Sequence, residues 1–336
     1  MYETTPQNTV TVSGDELAIQ RRIRLPYSGL KRDFFRSTLL LALAWITGCS
    51  ITGNQVDSDV LPIPVAANTM ESPLLTVLST RTLKADGASS GKSAYDLIRD
   101  FGGPRSIESP DLYSVNHPDV PHIFEDSDDE VGDHFVFVVH RDKDRDRDRQ
   151  NNTDRQRNEI KTYKSSERAV KGFENETLVF RWLFRINEDM TVSRRFTHFF
   201  QLKAVGGDDR QPIVTITGVK RSGEGGIEVR HSPSRGGTVL QRIDWSEVTG
   251  EWLQAYCRAT FSEDGALRLI VTRLSDNAVV FDIEVTGLDL WRGKSREHFV
   301  RPKWGIYRSI LLPDELRPDE EEVRFADFSI SKVVIN

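Results

Sequence analysis

The sequence predicts an all-β fold, a sandwich or jelly roll of antiparallel sheets, and three observations predict it. From His134 onward, period-two segments dominate and recur roughly every ten residues. Turn signals such as Gly206-Gly207-Asp208, Ser222-Gly223, Gly236-Gly237, Glu263-Asp264-Gly265 and Ser275-Asp276-Asn277 separate them. Helical periodicity is sparse, and no internal repeat is evident.

Taken in order, strands are expected near residues 134–140, 155–163, 177–187, 195–205, 212–219 and 226–231, then near 252–262, 266–273, 278–285, 304–311 and 323–335. Phe180, Trp182 and Phe184 share one face of their strand and read as core between two sheets. Trp304 and Ile306 take the phase opposite Lys303 and Tyr307 and should also pack inward. Ser93 to Arg99 suits one or two helical turns, and 104–121 is turn-rich. The run Arg141–Arg149 alternates aspartate with cations and reads as a solvated hairpin loop. Its alternate aspartates could ligate a structural calcium, but the flanking cations and the lack of a turn glycine argue against a dedicated calcium loop. No other cofactor or metal is expected.

At 336 residues, 38% hydrophobic and 29% charged, the chain suits a folded protein rather than a disordered or membrane-spanning one. A net charge of −6 argues against nucleic acid as a partner and leaves polyanion binding to a local basic surface. The N-terminus reads as a leader over 1–49. A basic flank, Lys31 to Arg36, precedes the apolar run Leu39–Ile46, which is too short to span a bilayer comfortably. Ile46-Thr47-Gly48-Cys49 resembles a bacterial lipobox, in which Cys49 would be lipidated. That implies an exported cell-envelope protein touching membrane only through its anchor; a plain secretory signal is the alternative. The stretch before the flank is long for a leader, as an upstream misplaced start would produce. Residues 50–92, rich in Ser, Thr, Pro, Gly and Asp, read as a tether, leaving 93–336 as a monomeric β domain. Cys257, in an apolar strand pattern, reads as a buried small hydrophobe.

The chemistry-bearing residues lie on three strands. Arg155, Arg157, Glu159 and Lys161 share one face; so do Gln201 and Lys203, and Lys303 and Tyr307. Cations, an amide and a phenol on a common face would make a concave groove for an anionic polymer. His198 takes the phase opposite Gln201 and Lys203 and reads as a core or convex-side histidine. His140 closes its strand and is a candidate groove residue. Arg181, Arg185 and Arg195 could extend the basic surface, but the sequence does not assign them a sheet.

The order Arg157-x-Glu159-Ile160-Lys161, Gln201-x-Lys203, Lys303-x-Gly305-x-Tyr307 resembles the jelly-roll polysaccharide lyases, over about residues 130–335. That group includes alginate, glucuronan, heparin-I-type and certain ulvan lyases. The alginate-lyase patterns are Arg-x-Glu-Leu-Arg, Gln-Ile-His or Gln-Val-His, and Lys-x-Gly-x-Tyr. Lys203 stands where many of these enzymes carry histidine, and some ulvan lyases are similar in having lysine there. The resemblance implies a concanavalin-like sandwich that cleaves an anionic polysaccharide, ulvan or a related glucuronate polymer, by β-elimination.

Elimination across C4–C5 of a uronate requires the carboxylate to be neutralised, H5 removed and the leaving O4 protonated. Arg157 offers a planar fork for a carboxylate and Gln201 an amide donor. Lys203 is assigned as base and Tyr307 as acid, with the reverse assignment left open. Crowding by Arg157 and Lys303 would lower the pKa of a lysine at 203. Arg155, Glu159, Lys161, Lys303 and His140 are assigned to substrate contact, with Glu159 also suited to orienting a cation. A glycoside hydrolase would need two carboxylates across the scissile bond, and the cluster Glu125–Glu130 lacks apolar interleaving and reads as loop. A non-catalytic carbohydrate-binding module is the other rival, since it needs the groove without convergent catalytic groups.

Overall fold

A computed structural model describes residues 73–336 except 88, 149, 234 and 235. The leader, Cys49 and the first part of the expected tether lie outside the described residues. The fold is a two-sheet antiparallel jelly-roll sandwich.

One sheet has eight strands: β1 (Leu75–Leu83), β3 (Ile123–Asp128), β4 (Gly132–His140), β6 (Thr177–Ile186), β11 (Trp252–Thr260), β12 (Gly265–Arg273), β13 (Val279–Leu288) and β15 (Glu320–Ile335). The other has seven: β2 (Ile107–Glu108), β5 (Arg155–Lys161), β7 (Thr197–Val205), β8 (Val214–Arg221), β9 (Glu224–His231), β10 (Thr238–Asp244) and β14 (Phe299–Ser309), in the order β10-β9-β8-β7-β14-β5-β2. Helix α1 (Ala94–Gly102) is closed at its N-terminus by a Ser93–Asp96 capping box.

The inner faces pack as the alternation requires. Trp182 of β6 stacks on Phe200 of β7 with centroids 4.5 Å apart, and Trp304 of β14 meets Trp182 edge-on at 6.0 Å. Cys257 is a free, buried thiol in this core.

Four strands escaped the sequence reading. Leu75–Leu83, expected within the tether, pairs antiparallel with the C-terminal half of β15, so the domain starts well before residue 93. Its pattern, exposed or half-exposed at every position but Leu83, is that of an edge strand, without the buried alternation that marks a central one. The acidic segment Ile123–Asp128 is a strand paired with β4, not a loop. β2 is only two residues long, and β10 is a half-exposed edge strand. Arg181 and Arg185 belong to β6 in the eight-stranded sheet, so they do not extend the surface carried by β5, β7 and β14.

The 141–149 run departs most from expectation. Asp144 and Asp146 are buried at 0% and 1% exposure, so this loop is not a solvated hairpin. Each aspartate satisfies a specific set of inward partners, described below.

Candidate active site

Strand register sorts the outer face of the seven-stranded sheet into rows. One row runs Arg157, Tyr307, His198, Thr217 and Glu228 across β5, β14, β7, β8 and β9. Beyond the Glu159–Gly305 pair of β5 and β14, a second row runs Lys161, Lys303, Gln201, Thr215 and Arg230, and Lys203 stands opposite Arg301 further along. Arg157, Gln201, Lys203 and Tyr307 therefore share one sheet face.

They do not share one sugar's width. Arg301, the partner of Lys203, lies six residues along β14 from Tyr307, a path of roughly 20 Å at about 3.3 Å per residue. The Lys203 ammonium donates to the carbonyl of Asp209 at 2.7 Å, in the β7–β8 loop at the end of the strand remote from Tyr307. Tyr307 has His198, not Lys203, as its register partner, and the Lys203 ammonium is engaged by the β7–β8 loop. Burial lowers the Lys203 pKa to about 8, with the charges of Lys303 and Arg157 adding to it.

His198 takes the place beside Tyr307, with ring centroids 5.9 Å apart. The period-two count assigned it to the wrong face because β7 carries a bulge. Register slips between His198 and Phe200, and Phe199 and Phe200 both join the core. The His198 ring stacks on Phe196 at 4.7 Å. Thr217 donates its hydroxyl to Thr215 at 2.7 Å, so its oxygen accepts the Nδ1 proton of His198 at 2.8 Å. That tautomer leaves Nε2 with a lone pair. Burial, reinforced by Arg230, Arg157, Lys303 and Lys203, depresses the His198 pKa to about 3 and keeps the ring neutral.

Tyr307 is held from two sides. The Arg157 guanidinium lies 3.7 Å from its ring centroid. Arg155 donates to the phenolic oxygen at 2.9 Å, which leaves the phenol's own proton available for donation. Arg155 also pairs with Asp154 and is half-exposed, as a groove residue would be.

Arg157 does not offer a free fork. Its Nε and Nη2 donate to the two oxygens of Asp146 at 2.9 and 3.0 Å, and Nη1 donates to Glu159 at 2.7 Å and Glu108 at 3.4 Å. Gln201 likewise donates its amide to Glu159. Direct neutralisation of a substrate carboxylate by Arg157 is therefore corrected: its donors are taken by carboxylates of the protein, and it lies beneath the surface against the Tyr307 ring. The sequence reading could not foresee the two acids, which arrive from β2 and from the 141–154 loop.

Glu159 and Lys303 are each 1% exposed, so neither meets substrate directly. Glu159 instead binds Arg157, Gln201 and Lys303 together, the orienting role expected of it. Lys303 also pairs with Glu108 at 2.8 Å, and Lys161 pairs with Glu108 at 2.6 Å. Burial raises the Glu108 pKa, but Lys303, Arg157 and Lys161 together hold it well below the usual carboxylate range. Lys161, with Glu108, Arg147, Tyr163 and Arg301, lines a cleft of about 420 Å³ at one side of this cluster.

His140 is also corrected. It leaves the groove and converges with His117, His122 and Asp144, the one set among the described residues whose ligand atoms could hold a metal ion. The acids of β3 lie on the opposite sheet, and Glu125 and Asp128 accept backbone N–H groups there, so they form no hydrolase pair.

No protein-family model and no curated protein matches the sequence. Among solved structures, the chain is similar to a glucuronan lyase from the fungus Trichoderma reesei, at 13% identity and a TM-score of 0.42, covering 67% of this chain and 93% of that one. It is similar to an alginate lyase from Aplysia kurodai, at 11% identity and a TM-score of 0.48, covering 76% and 98%. A Pseudomonas aeruginosa alginate lyase is similar at 15% identity and a TM-score of 0.43, covering 68% and 97%.

Proposed function

We propose that this protein is a polysaccharide lyase that cleaves a uronate-containing anionic polymer by β-elimination. The observation that carries the reading is the His198–Tyr307 pair, a neutral imidazole and a phenol side by side on the outer sheet face, with Arg157 and Arg155 fixing the phenol.

In this reading His198 Nε2 removes H5, the freed electron pair forms the C4–C5 double bond, the C4–O4 bond breaks, and Tyr307 gives its proton to O4. Arg157 and Lys303 beneath the pair supply positive potential toward the carboxylate as charge builds at C5. Lys203 sits a row or more away and serves a second anionic group of the polymer. Ulvan, which carries sulfate as well as uronate, has two such charges and is the first substrate to try, ahead of glucuronan and alginate.

Incubation with ulvan, glucuronan, alginate and heparin-type polymers tests the proposal. An ultraviolet-absorbing unsaturated end should appear with at least one of them. Polymer binding without such ends on any substrate would leave a binding module; reducing ends without ultraviolet absorbance would indicate a hydrolase. Export through a lipidated Cys49 belongs to the same proposal, and Cys49→Ser should release the protein from the membrane fraction of its host.

A further inference from the structure

Where β4 ends and the 141–154 loop begins, four side chains converge from three separate parts of the chain. His117 comes from the loop before β3, His122 from the residue preceding β3, His140 from the last residue of β4, and Asp144 from the loop itself. Their ligand atoms all lie within 4.8 Å of one another. His117 Nδ1 is 2.8 Å from one Asp144 oxygen; His122 Nε2 and His140 Nδ1 are 3.0 and 3.3 Å from the other. The three rings meet edge to face at centroid distances of 5.0 to 5.1 Å.

The outer nitrogens decide what the inner ones offer. His122 Nδ1 is directed at the Val120 carbonyl and lies 3.4 Å from the Asp111 carboxylate. That carboxylate is itself held by the Tyr95 hydroxyl at 2.7 Å. His140 Nε2 is 2.9 Å from the Glu320 carboxylate. An imidazole that gives its one N–H to an outer acceptor presents a lone pair at the other nitrogen. His122 Nε2 and His140 Nδ1 both face the same Asp144 oxygen and lie 3.3 Å apart, so once their N–H groups are turned to the outer acceptors they can present lone pairs to one ion. Ligands about 2.0–2.1 Å from a tetrahedral zinc are about 3.3–3.4 Å from each other; the His122–His140 pair has that spacing, and the whole set lies within 4.8 Å.

We infer that His117, His122, His140 and Asp144 bind one divalent transition-metal ion, zinc by the chemistry of the set, in a closed four-ligand site. Three imidazoles and one carboxylate suit zinc and not calcium, which prefers clustered oxygens. Four protein ligands leave no open position for a reacting water, so the site is structural.

Its place in the fold says what it would hold. Gln156 of β5 donates to the carbonyls of His140, Arg141 and Asp144 at 2.7, 2.8 and 3.0 Å, and Asn158 donates to the His122 carbonyl at 2.7 Å. Two residues beyond Asp144, Asp146 clamps Arg157. The metal would thus pin the loop that positions Arg157 and, through it, Tyr307.

The test is metal content of the full chain, expressed with zinc supplied and dialysed against metal-free buffer. Wild type should retain about one zinc per chain. Cobalt in its place should show the visible absorption of four-coordinate geometry. His122→Ala and Asp144→Ala should lose the ion. His117→Ala, whose ring is at the rim, should keep the fold by circular dichroism while losing affinity, and Glu320→Gln should weaken binding about tenfold or more. Wild type without bound zinc or the cobalt spectrum, wild type retaining calcium instead, or His117→Ala with wild-type affinity would overturn the inference. These readouts do not depend on turnover, so a failure here leaves the elimination reading standing. Loss of turnover on metal removal is a further expectation that rests on that reading.

Discussion

His198 and Tyr307 are register partners on β7 and β14, with rings 5.9 Å apart, because a register shift between His198 and Phe200, where β7 has one residue more than β8, turns the histidine to the outer face. Lys203, the residue whose spacing from Gln201 looked catalytic, partners Arg301 and bonds the β7–β8 loop instead. The two candidate bases therefore make different predictions.

Replacing His198 by Ala should lower kcat by about 10²- to 10⁴-fold, the usual range for losing a general base. Lys203→Ala should leave kcat within about tenfold and act chiefly on KM, as loss of a polymer contact does. Initial rates from the ultraviolet signal of the unsaturated product separate them. A Lys203→Ala defect as deep as that of His198→Ala would return the lysine to the centre.

The pH profile carries the same distinction. With a pKa of about 3, His198 is already a free base throughout the neutral range, so kcat/KM should show no acid limb from this group above about pH 5. A base with the Lys203 value of about 8 would instead raise the rate about tenfold per unit up to that pH. The histidine leaves a stability signature too. Its folded pKa is below the unfolded value of 6.5, so its contribution is complete above 6.5 and is lost as pH falls toward 3. A midpoint of chemical denaturation that declines over that window in wild type, and less in a folded His198→Gln variant, is the expected result.

Asp146→Asn tests the clamp beneath the site. It removes the charge that receives two donors of a buried guanidinium. Breaking a buried pair from one side costs roughly 3–5 kcal/mol, partly offset here by Glu159 and Glu108, which remain on Arg157. A loss of about 2 kcal/mol or more in denaturant titration, with kcat falling as Tyr307 loses its fixed partner, is the expected outcome. Unchanged stability and turnover would mean that the loop is dispensable to the site.

These residues also show how far the sequence could be read. Alternation located the sandwich core and placed Arg157 and Tyr307 on one face, because between bulges side-chain direction depends only on parity. A bulge resets parity, and its one trace in the sequence is the adjacent pair Phe199-Phe200, two apolar residues where alternation asks for one. Asp144 and Asp146 were hidden differently. Their neighbours are solvated charges, and burial came from histidines and an arginine distant in the chain. β1 was missed because an edge strand lying mostly open to solvent has no apolar alternation to display.

Gly305, the middle of the Lys303-x-Gly305-x-Tyr307 pattern, explains why that pattern needs a glycine, and it can be tested against a control in the same sheet. At Gly305 φ is +136°, and a Cβ would meet the Asn158 carbonyl oxygen at 2.1 Å and Glu159 Cα at 2.7 Å, both backbone atoms of β5 that cannot swing aside. Gly223 in the β8–β9 turn also has positive φ, at +90°, but a Cβ there meets nothing within 4 Å. Alanine at 223 therefore reports backbone strain alone, about 1 kcal/mol or somewhat more. Alanine at 305 adds a collision that must push β14 from β5, the two strands that carry Tyr307 and Arg157, so its cost should exceed that of Gly223→Ala by roughly 2 kcal/mol or more. Separation of those strands should also cut turnover in whatever fraction remains folded, whereas Gly223→Ala should leave it unchanged. Equal denaturation midpoints for the two variants would show that close approach of β5 is not what the glycine serves.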